Sequence, residues 1–317
     1  MDRRPREEKE MIKAAIDIGT NTVLLLVVQQ KSGSEFDVLE ELQRMPRLGR
    51  DVDSQKNLSG EAMSRVGAII REYYHFLQLH YPECDNPIIT ATSAVRDAAN
   101  RRLFIEKVKQ ETGLEVHILN GGEEAGYTFL GAQSVLDHTF EEEPVVVLDI
   151  GGGSTEIAWG QREEIIDRHS FDMGCVRFTE RFLTTDPPTP LQMDTARQAI
   201  LKMLLERPFD FDNHPRLIGV AGTVTSLAFI DQELSIYESG RLNGYSLCLS
   251  VIRDYISNFS SIPTDDLAAR YPAVLEGRAD IFLAGLLILE GVMEHYDFQS
   301  VTVSTGGIRH GAIVYDS

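Results

Sequence analysis

The chain is poor in cysteine. Cys84, Cys175 and Cys248 are its whole complement in 317 residues. They are odd in number, scattered and in no CxxC spacing, which excludes a disulfide framework and a thiolate zinc site. Free, buried thiols in a reducing compartment are expected. Long apolar runs are lacking too. The longest, Ile281–Leu289, falls far short of the ~20 residues that span a bilayer and reads as a buried helix. The first ten residues, Met1–Glu10, are charged and carry no apolar signal-peptide stretch. A disordered tail over 1–10 and a cytoplasmic location are expected. Positive charge is scarce: 30 Lys and Arg stand against 49 Asp and Glu, a net charge of −19. With no basic tail, this argues against a general nucleic-acid or membrane-surface binder. Any polyanionic ligand must be held by local arginines, backbone N–H groups and metal ions against a repulsive field. There is also no P-loop, no Ser-His-Asp signature, no H-E-x-x-H and no zinc spacing.

What is present begins with ordinary composition, 43% hydrophobic and 25% charged. The length suits two domains, each able to bury its own core. The organising stretch is Val145–Trp159, four apolar residues leading into Asp149-Ile-Gly151-Gly152-Gly153-Ser154-Thr-Glu156. The apolar run predicts a strand buried on both faces, the glycines a tight turn, and Glu156–Trp159 a returning strand. Glycines at a strand end free backbone N–H groups to approach an anion. A plain hairpin is the alternative reading.

The chain does this twice. Ile12–Val28 runs through Asp17-Ile-Gly in the same manner, and further pairs follow. Pro87–Arg96 matches Arg216–Thr225, and Val116–Glu124 matches Val301–Arg309. The order in both halves is hairpin, helix, strand–loop, helix, strand–Gly–Gly–helix, which predicts a duplicated α/β domain. The expected units are 11–137 and 138–317, with a boundary in the acidic linker Asp137–Glu143. The last helix, 308–317, is expected to pack back on the first unit.

Within the first unit the pattern predicts strands near 12–18, 23–29 and 36–44. A helix capped by Ser59 is expected to bury Met63, Val66, Ile70, Tyr74 and Leu77. Asn100 is read as the cap of a helix ending at Gly113. In the second unit Gly219–Thr223 is read as a small-residue loop before a helix, and helices are expected near 246–260 and 278–296. Open α/β sheets bind ligands where strand carboxyl ends meet loops. Asp17, Arg96 and Glu124 should gather there. Glu123 and Glu124 open a helix whose dipole favours an ionised carboxylate, which suits a base.

Asp17, Asp149 and Glu156 form a sufficient set for a divalent metal, Mg²⁺ first and Mn²⁺ as an alternative. Arg96 leads as a bidentate phosphate contact. Arg47 and Arg50, on a loop broken by Pro and Gly, are candidate anion contacts, and His310 beside Arg309 is a weaker one. The whole reads as a phosphate-handling cleft between two like domains.

These motifs carry a resemblance. Asp17–Thr22, Ala91–Ala98, Gly121–Ala125 and Asp149–Glu156 occur in order, followed by Gly222-Thr223, Arg278–Asp280 and Gly306–Arg309. Together they resemble the exopolyphosphatase/guanosine pentaphosphate phosphohydrolase family over nearly the whole chain, in a short two-domain form. The resemblance implies duplicated RNase H-like domains of the actin-like ATPase and sugar kinase/heat-shock chaperone superfamily. It implies magnesium-dependent removal of terminal phosphate from inorganic polyphosphate or pppGpp. Glu124 matches the proposed base that activates water, and Arg96 the arginine that engages phosphate beside it. Asp149 and Glu156 match acidic residues around the metal. Gly151, Gly152, Gly153 and Ser154 match the phosphate loop, with Asn21 and Thr22 facing it. Gly222, Thr223 and Arg309 are further phosphate contacts on this reading, and Arg278 a further anion contact.

Asn120 stands where the family commonly has Ser, and His310 where an acidic residue often follows the arginine. Both are expected to tune substrate choice. Longer relatives append helical domains that hold long polyphosphate, so weaker processivity is expected. Polyphosphate leads, with pppGpp as the alternative. An ATPase or kinase of the same superfamily and a non-catalytic alarmone sensor are the other classes. Hinge closure over substrate and a homodimer extending the phosphate groove are also expected.

Overall fold

The computed structural model describes residues 11–31, 35–84, 86–137, 143–211 and 215–316. The expected tail over 1–10 and most of the Asp137–Glu143 linker lie outside them. No described helix is long and apolar enough to cross a membrane.

The first half runs β1 (Met11–Ile18), β2 (Val23–Gln30), β3 (Phe36–Arg44), α1 (Val52–Gln55), α2 (Gly60–His80) and β4 (Ile88–Ala91). It continues with α3 (Ser93–Asp97), α4 (Arg101–Thr112), β5 (His117–Ile118) and α5 (Gly121–Gln133). The second half opens with β6 (Val145–Ile150), β7 (Thr155–Gln161), β8 (Glu164–Phe171), α6 (Cys175–Phe182) and α7 (Pro190–Glu206). There follow β9 (Arg216–Val220), α8 (Ala221–Asp231), α9 (Ser239–Leu242), β10 (Ser246–Cys248) and α10 (Leu249–Phe259). The chain closes with α11 (Thr264–Arg270), α12 (Pro272–Leu275), α13 (Ala279–His295), β11 (Ser300–Val303) and α14 (Ile308–Tyr315).

The first sheet has the order β3-β2-β1-β4-β5, and the second β10-β11-β9-β6-β7-β8. Read from β8, the second sheet repeats the first strand for strand and adds β10 at its edge. Both Asp-Ile-Gly turns close alike: Gly19 N donates to Thr22 O at 2.9 Å, and Gly151 N to Ser154 O at 3.0 Å. The duplication is therefore one of register as well as order. Asp17 lies opposite Leu24 in its hairpin, whereas Asp149 lies opposite Glu156, so the second copy carries the extra carboxylate.

Both central strands are covered on two faces, which is why they read as unbroken apolar runs. Ala14, Ile16 and Ile18 face a core with Val66, Ile70 and Phe104, while Ala15 faces the last helix. The covering helices are exchanged between the halves. Ala125, Phe129 and Ala132 of α5 pack on Val145, Val147 and Ala158 of the second sheet. Ala312 and Ile313 of α14 pack on Ala15, Leu26 and Val28 of the first. The two helices cross where glycines let backbones touch, and a Cβ on Gly311 would lie 1.8 Å from the Tyr127 carbonyl oxygen.

Several local expectations change. Ser59 caps α2 as expected, its hydroxyl accepting from Ala62 N at 3.1 Å, but Tyr73 rather than Tyr74 is buried. Tyr73 reaches through the core to donate to Val23 O at 3.1 Å. Asn100 precedes α4 without capping it; its side chain instead exchanges two bonds with the Leu58 backbone, at 2.9 and 2.8 Å. Residues 246–248 are a strand, because antiparallel pairing with β11 satisfies their backbone. Cys84 and Cys175 are buried, but Cys248 is exposed.

Candidate functional site

Asp17 and Asp149 end their strands on parallel partners, Thr90 and Val220, and so bring the two halves' carboxylates to one cleft. A hydroxyl holds each one: Thr90 Oγ1 donates to Asp17 at 3.1 Å, and Thr128 Oγ1, from α5, donates to Asp149 at 3.1 Å. Ser170 on β8 donates to Glu156 at 2.5 Å.

Asn120 and Glu123 form a capping box at the start of α5. The Asn120 side chain accepts from Gly122 N and Glu123 N at 2.9 and 3.0 Å, and Glu123 accepts from Asn120 N at 2.8 Å. The cap uses Glu123 and leaves Glu124, buried, to face inward. Arg96 donates to Glu124 at 2.5 Å and to Leu119 O at 3.1 Å, which holds the arginine behind the carboxylate.

One cavity of about 460 Å³ opens over this group. Asp17, Asn21, Thr22, Glu124, Asp149, Gly151, Gly152, Gly222, Thr223, Arg278 and Arg309 all line it. The structure thus brings eleven of the expected residues to one surface. Arg96, Gly153, Ser154 and Glu156 stand behind the wall rather than in it. Gly153 packs against Ser93, where a Cβ would lie 2.7 Å from the hydroxyl, and Ser154 is buried beside Glu156.

The arginines separate by partner. Arg47 is tied to both oxygens of Asp280 at 2.9 Å and to Gly277 O, joining the two halves. Arg50 is exposed, with Asp51 3.9 Å away. Arg309 donates to Leu25 O at 2.8 Å and to Glu41 at 3.1 Å. Arg278 is half-buried with its Nε buried and unpaired, and loss of water lowers its pKa. Gly222 leaves room for it, since a Cβ there would lie 2.3 Å from Arg278 Nη1. Gly219, read from the sequence as part of a loop, is instead inside β9. His310 is buried beside Phe36 with its Nδ1 unpaired.

Electrostatically the cavity floor is overloaded with carboxylate. Burial pushes Asp17 up to about 7 and Asp149 up to about 6. Burial also pushes Glu124 up to about 8, against the pull of Arg96, while Asp149 and Asp17 add to the rise. Glu156 is raised well above its ordinary value by burial, then by Glu124 and Asp149. The helix dipole alone would have left Glu124 ionised; loss of water outweighs it here. Among the described residues no three His, Cys, Asp or Glu side chains form a ready-made cation cage. Mg²⁺ does not require one, because it commonly takes one or two carboxylates and completes its shell with water and phosphate. Asp17 and Asp149, oxygen donors on the cavity wall whose charged forms burial disfavours, fit such an ion.

The residues that sequence reasoning missed are the supporting hydroxyls Thr90, Thr128 and Ser170, together with Arg177 and Tyr237. None sits in a motif with a chemical signature. Tyr237, half-exposed, reaches the cavity from the segment after α8.

A family model described as the Ppx/GppA phosphatase family matches residues 26–317. The chain belongs to that family. Exopolyphosphatase 2 of Mycobacterium tuberculosis is 31% identical over 312 residues, covering 94% of this chain and 96% of that protein. The bifunctional 3-dehydroquinate synthase/phosphatase of Fusobacterium nucleatum is 30% identical over 316 residues, 97% of this chain. The chain spans only 47% of that relative's length. The crystal structure of the Aquifex aeolicus Ppx/GppA family member superimposes with a TM-score of 0.81 at 29% identity, over 96% of this chain and 97% of that one. The two-sheet architecture is thus that of the Ppx/GppA proteins, an α/β fold of the actin-like type, and the chain is a phosphatase of that family.

Proposed function

We propose that this Ppx/GppA protein is an exopolyphosphatase that removes terminal phosphate from inorganic polyphosphate. The observation that carries the reading is the position of Glu124. Its carboxylate opens on the cavity between the two Asp-Ile-Gly turns, backed by Arg96 and flanked by Asp17 and Asp149. Asn21, Thr22, Gly151 and Gly152 supply hydroxyl, amide and backbone groups that suit a phosphate chain lying across the cleft. The likeness to exopolyphosphatase 2 agrees with this choice.

Hydrolysis of a phosphoanhydride needs a positioned water and stabilised charge more than covalent help. Glu124 is placed to take a proton from that water, and Arg96 holds the carboxylate while disfavouring its protonation. Asp17 and Asp149 would hold Mg²⁺, with Glu156 behind them. When bound, the ion would neutralise phosphate oxygens and relieve the mutual repulsion of the carboxylates.

The far end of the cavity supports pppGpp as the second reading. Val274, Ile281, Phe282 and Tyr237 line it beside Arg278. That apolar surface suits a nucleoside better than a bare phosphate chain, and Arg278 would meet an anion there.

The test is magnesium-dependent phosphate release by purified protein from short and long polyphosphate, pppGpp and ATP, run alongside Glu124→Gln. Release from polyphosphate that disappears in the variant supports the reading. Release from pppGpp alone selects the second substrate, and release from ATP alone moves the protein to the ATPase branch. Binding without any release would mark a sensor.

A further inference from the structure

One guanidinium outside the cavity ties its walls together. Arg177, on the first turn of α6, is buried. Its Nε donates to Gly153 O at 2.6 Å, its Nη1 to Asp53 at 2.5 Å and its Nη2 to Asp97 at 2.6 Å. The three acceptors come from different parts of the molecule. Gly153 belongs to the glycine turn of the second half. Asp53 is on α1 and Asp97 on α3, both in the first half, and Asp97 directly follows Arg96. Asp53 is itself held by Arg181 through two bonds of 2.5 and 2.7 Å.

The glycine turn leans on the same helix throughout. Gly151 O accepts from Cys175 N at 2.9 Å, and Gly152 O accepts from Val176 N at 2.8 Å and Arg177 N at 3.1 Å. Carbonyls committed to α6 leave the turn's opposite side, lined by Gly151 and Gly152, to the cavity.

We propose that Arg177 is a positioning residue for phosphoryl transfer: it fixes the glycine turn of one half against the helix that carries Arg96 in the other. Arg177 does not line the cavity and acts through Gly153 and Asp97. Only a planar fork with several donors satisfies three acceptors in three directions; a lysine ammonium on a flexible stem does not hold the same geometry. A shift of about 1 Å between the turn and the Arg96–Glu124 pair is enough to cost about 100-fold in rate.

The inference rests on the hydrolase reading above, so its test has one arm that needs no turnover. Arg177→Lys and Arg177→Ala are compared with Arg197→Met, which breaks a part-buried pair with Glu290 on α13. The expected result is a fall in kcat of about 10- to 100-fold for both Arg177 variants with KM within about threefold. Added guanidinium should partly restore Arg177→Ala, and Arg197→Met should keep wild-type kcat. Wild-type kcat in folded Arg177 variants overturns the proposal.

In the second arm, amide exchange of residues 92–98 and 151–156 is followed without substrate. Faster exchange in both segments, but not in Arg197→Met, supports the bridge; unchanged exchange overturns it. Should Arg177→Ala fail to fold, Asp97→Asn keeps the Asp53 and Gly153 contacts and carries both arms. Failure of the wild type on every substrate would sink the hydrolase reading and leave the exchange arm standing.

Discussion

Gly131 on α5 and Gly307 before α14 meet backbone to backbone: a Cβ added at Gly131 would lie 2.0 Å from the Gly307 carbonyl oxygen and 2.7 Å from Gly311 N. Neither obstacle is a side chain that can swing away. The crossing matters because α5 carries both Glu124 and Thr128, the partner of Asp149.

Gly131→Ala should therefore push the two helices apart. Overpacking of this kind costs about 1–3 kcal/mol, and a helix normally gains from alanine, so the sign is diagnostic. The expected outcome is a lower thermal midpoint with reduced turnover, followed by calorimetry and phosphate release. Gly60→Ala is the contrasting variant, since a Cβ there meets nothing within 4 Å. It should be neutral or slightly stabilising. Equal midpoints for the two variants would remove the crossing as a constraint.

The carboxylate cluster predicts how stability depends on pH. Asp17 is raised to about 7 in the folded protein against an ordinary 3.8. Between those values the folded state binds the extra proton, so this group's contribution to stability falls as pH rises. His310, pushed down to about 3 by burial, acts in the opposite sense below its ordinary 6.5. Wild-type midpoints mix the two effects. Asp17→Asn isolates the first, because the amide never ionises. With chelator present, its stability relative to wild type should climb from pH 5 to about pH 7 and level off above, a rise on the order of 2–3 kcal/mol. A pH-independent difference would mean that Asp17 is not charged at a cost.

Adding Mg²⁺ should reverse that penalty. An ion that binds only the folded state stabilises it by RT ln(1 + [L]/Kd), about 2.7 kcal/mol at one hundred times Kd. Thermal midpoints in Mg²⁺ and in chelator should differ for wild type, and the difference should collapse in Asp149→Asn. Mn²⁺ provides a parallel titration. No shift in wild type at millimolar Mg²⁺ would argue that the cation arrives only with substrate phosphate.

Much of the fold was legible because burial writes itself into period and composition. Val145–Leu148 and Ala14–Ile16 are apolar on both faces because α5 and α14 cover what would otherwise be solvent. The Asp-Ile-Gly repeats were legible because a strand, a turn and a returning strand each leave a local signature. That α14 packs on the first half was expected from the sequence; that α5 in exchange covers the second sheet was not, since an apolar helix face does not say which sheet it covers. Arg177 was invisible for a related reason. Its partners Asp53 and Asp97 lie 124 and 80 positions away in the chain, and no spacing rule reaches that far. Arg47 was read as an anion contact from its loop beside the Asp17 turn, and Arg309 from the family resemblance; the structure supplies Asp280, Glu41 and Leu25 as partners for them. The choice between Tyr73 and Tyr74 turned on one residue of helical phase, which packing settles and periodicity does not.

The Arg96–Glu124 pair allows a test that separates structure from chemistry. Arg96→Met removes the partner of a carboxylate that is 4% exposed. A stranded buried charge is strongly destabilising, although the arginine side chain is 23% exposed and solvent softens the loss. Because Glu124 is raised to about 8 even beside Arg96, the loss is small at neutral pH and grows to about 1–2 kcal/mol by pH 9. It should shrink as pH falls, because the unpartnered carboxyl, raised further without Arg96, then takes up a proton. Glu124→Gln added to Arg96→Met removes the charge and should restore most of the lost stability. Activity should not return in the double variant, because the proton acceptor has gone with the charge. Denaturant midpoints at pH 7 and pH 9, with phosphate release measured on the same samples, decide the matter. Recovery of turnover with stability would mean that Glu124 serves the fold and that another group handles the water.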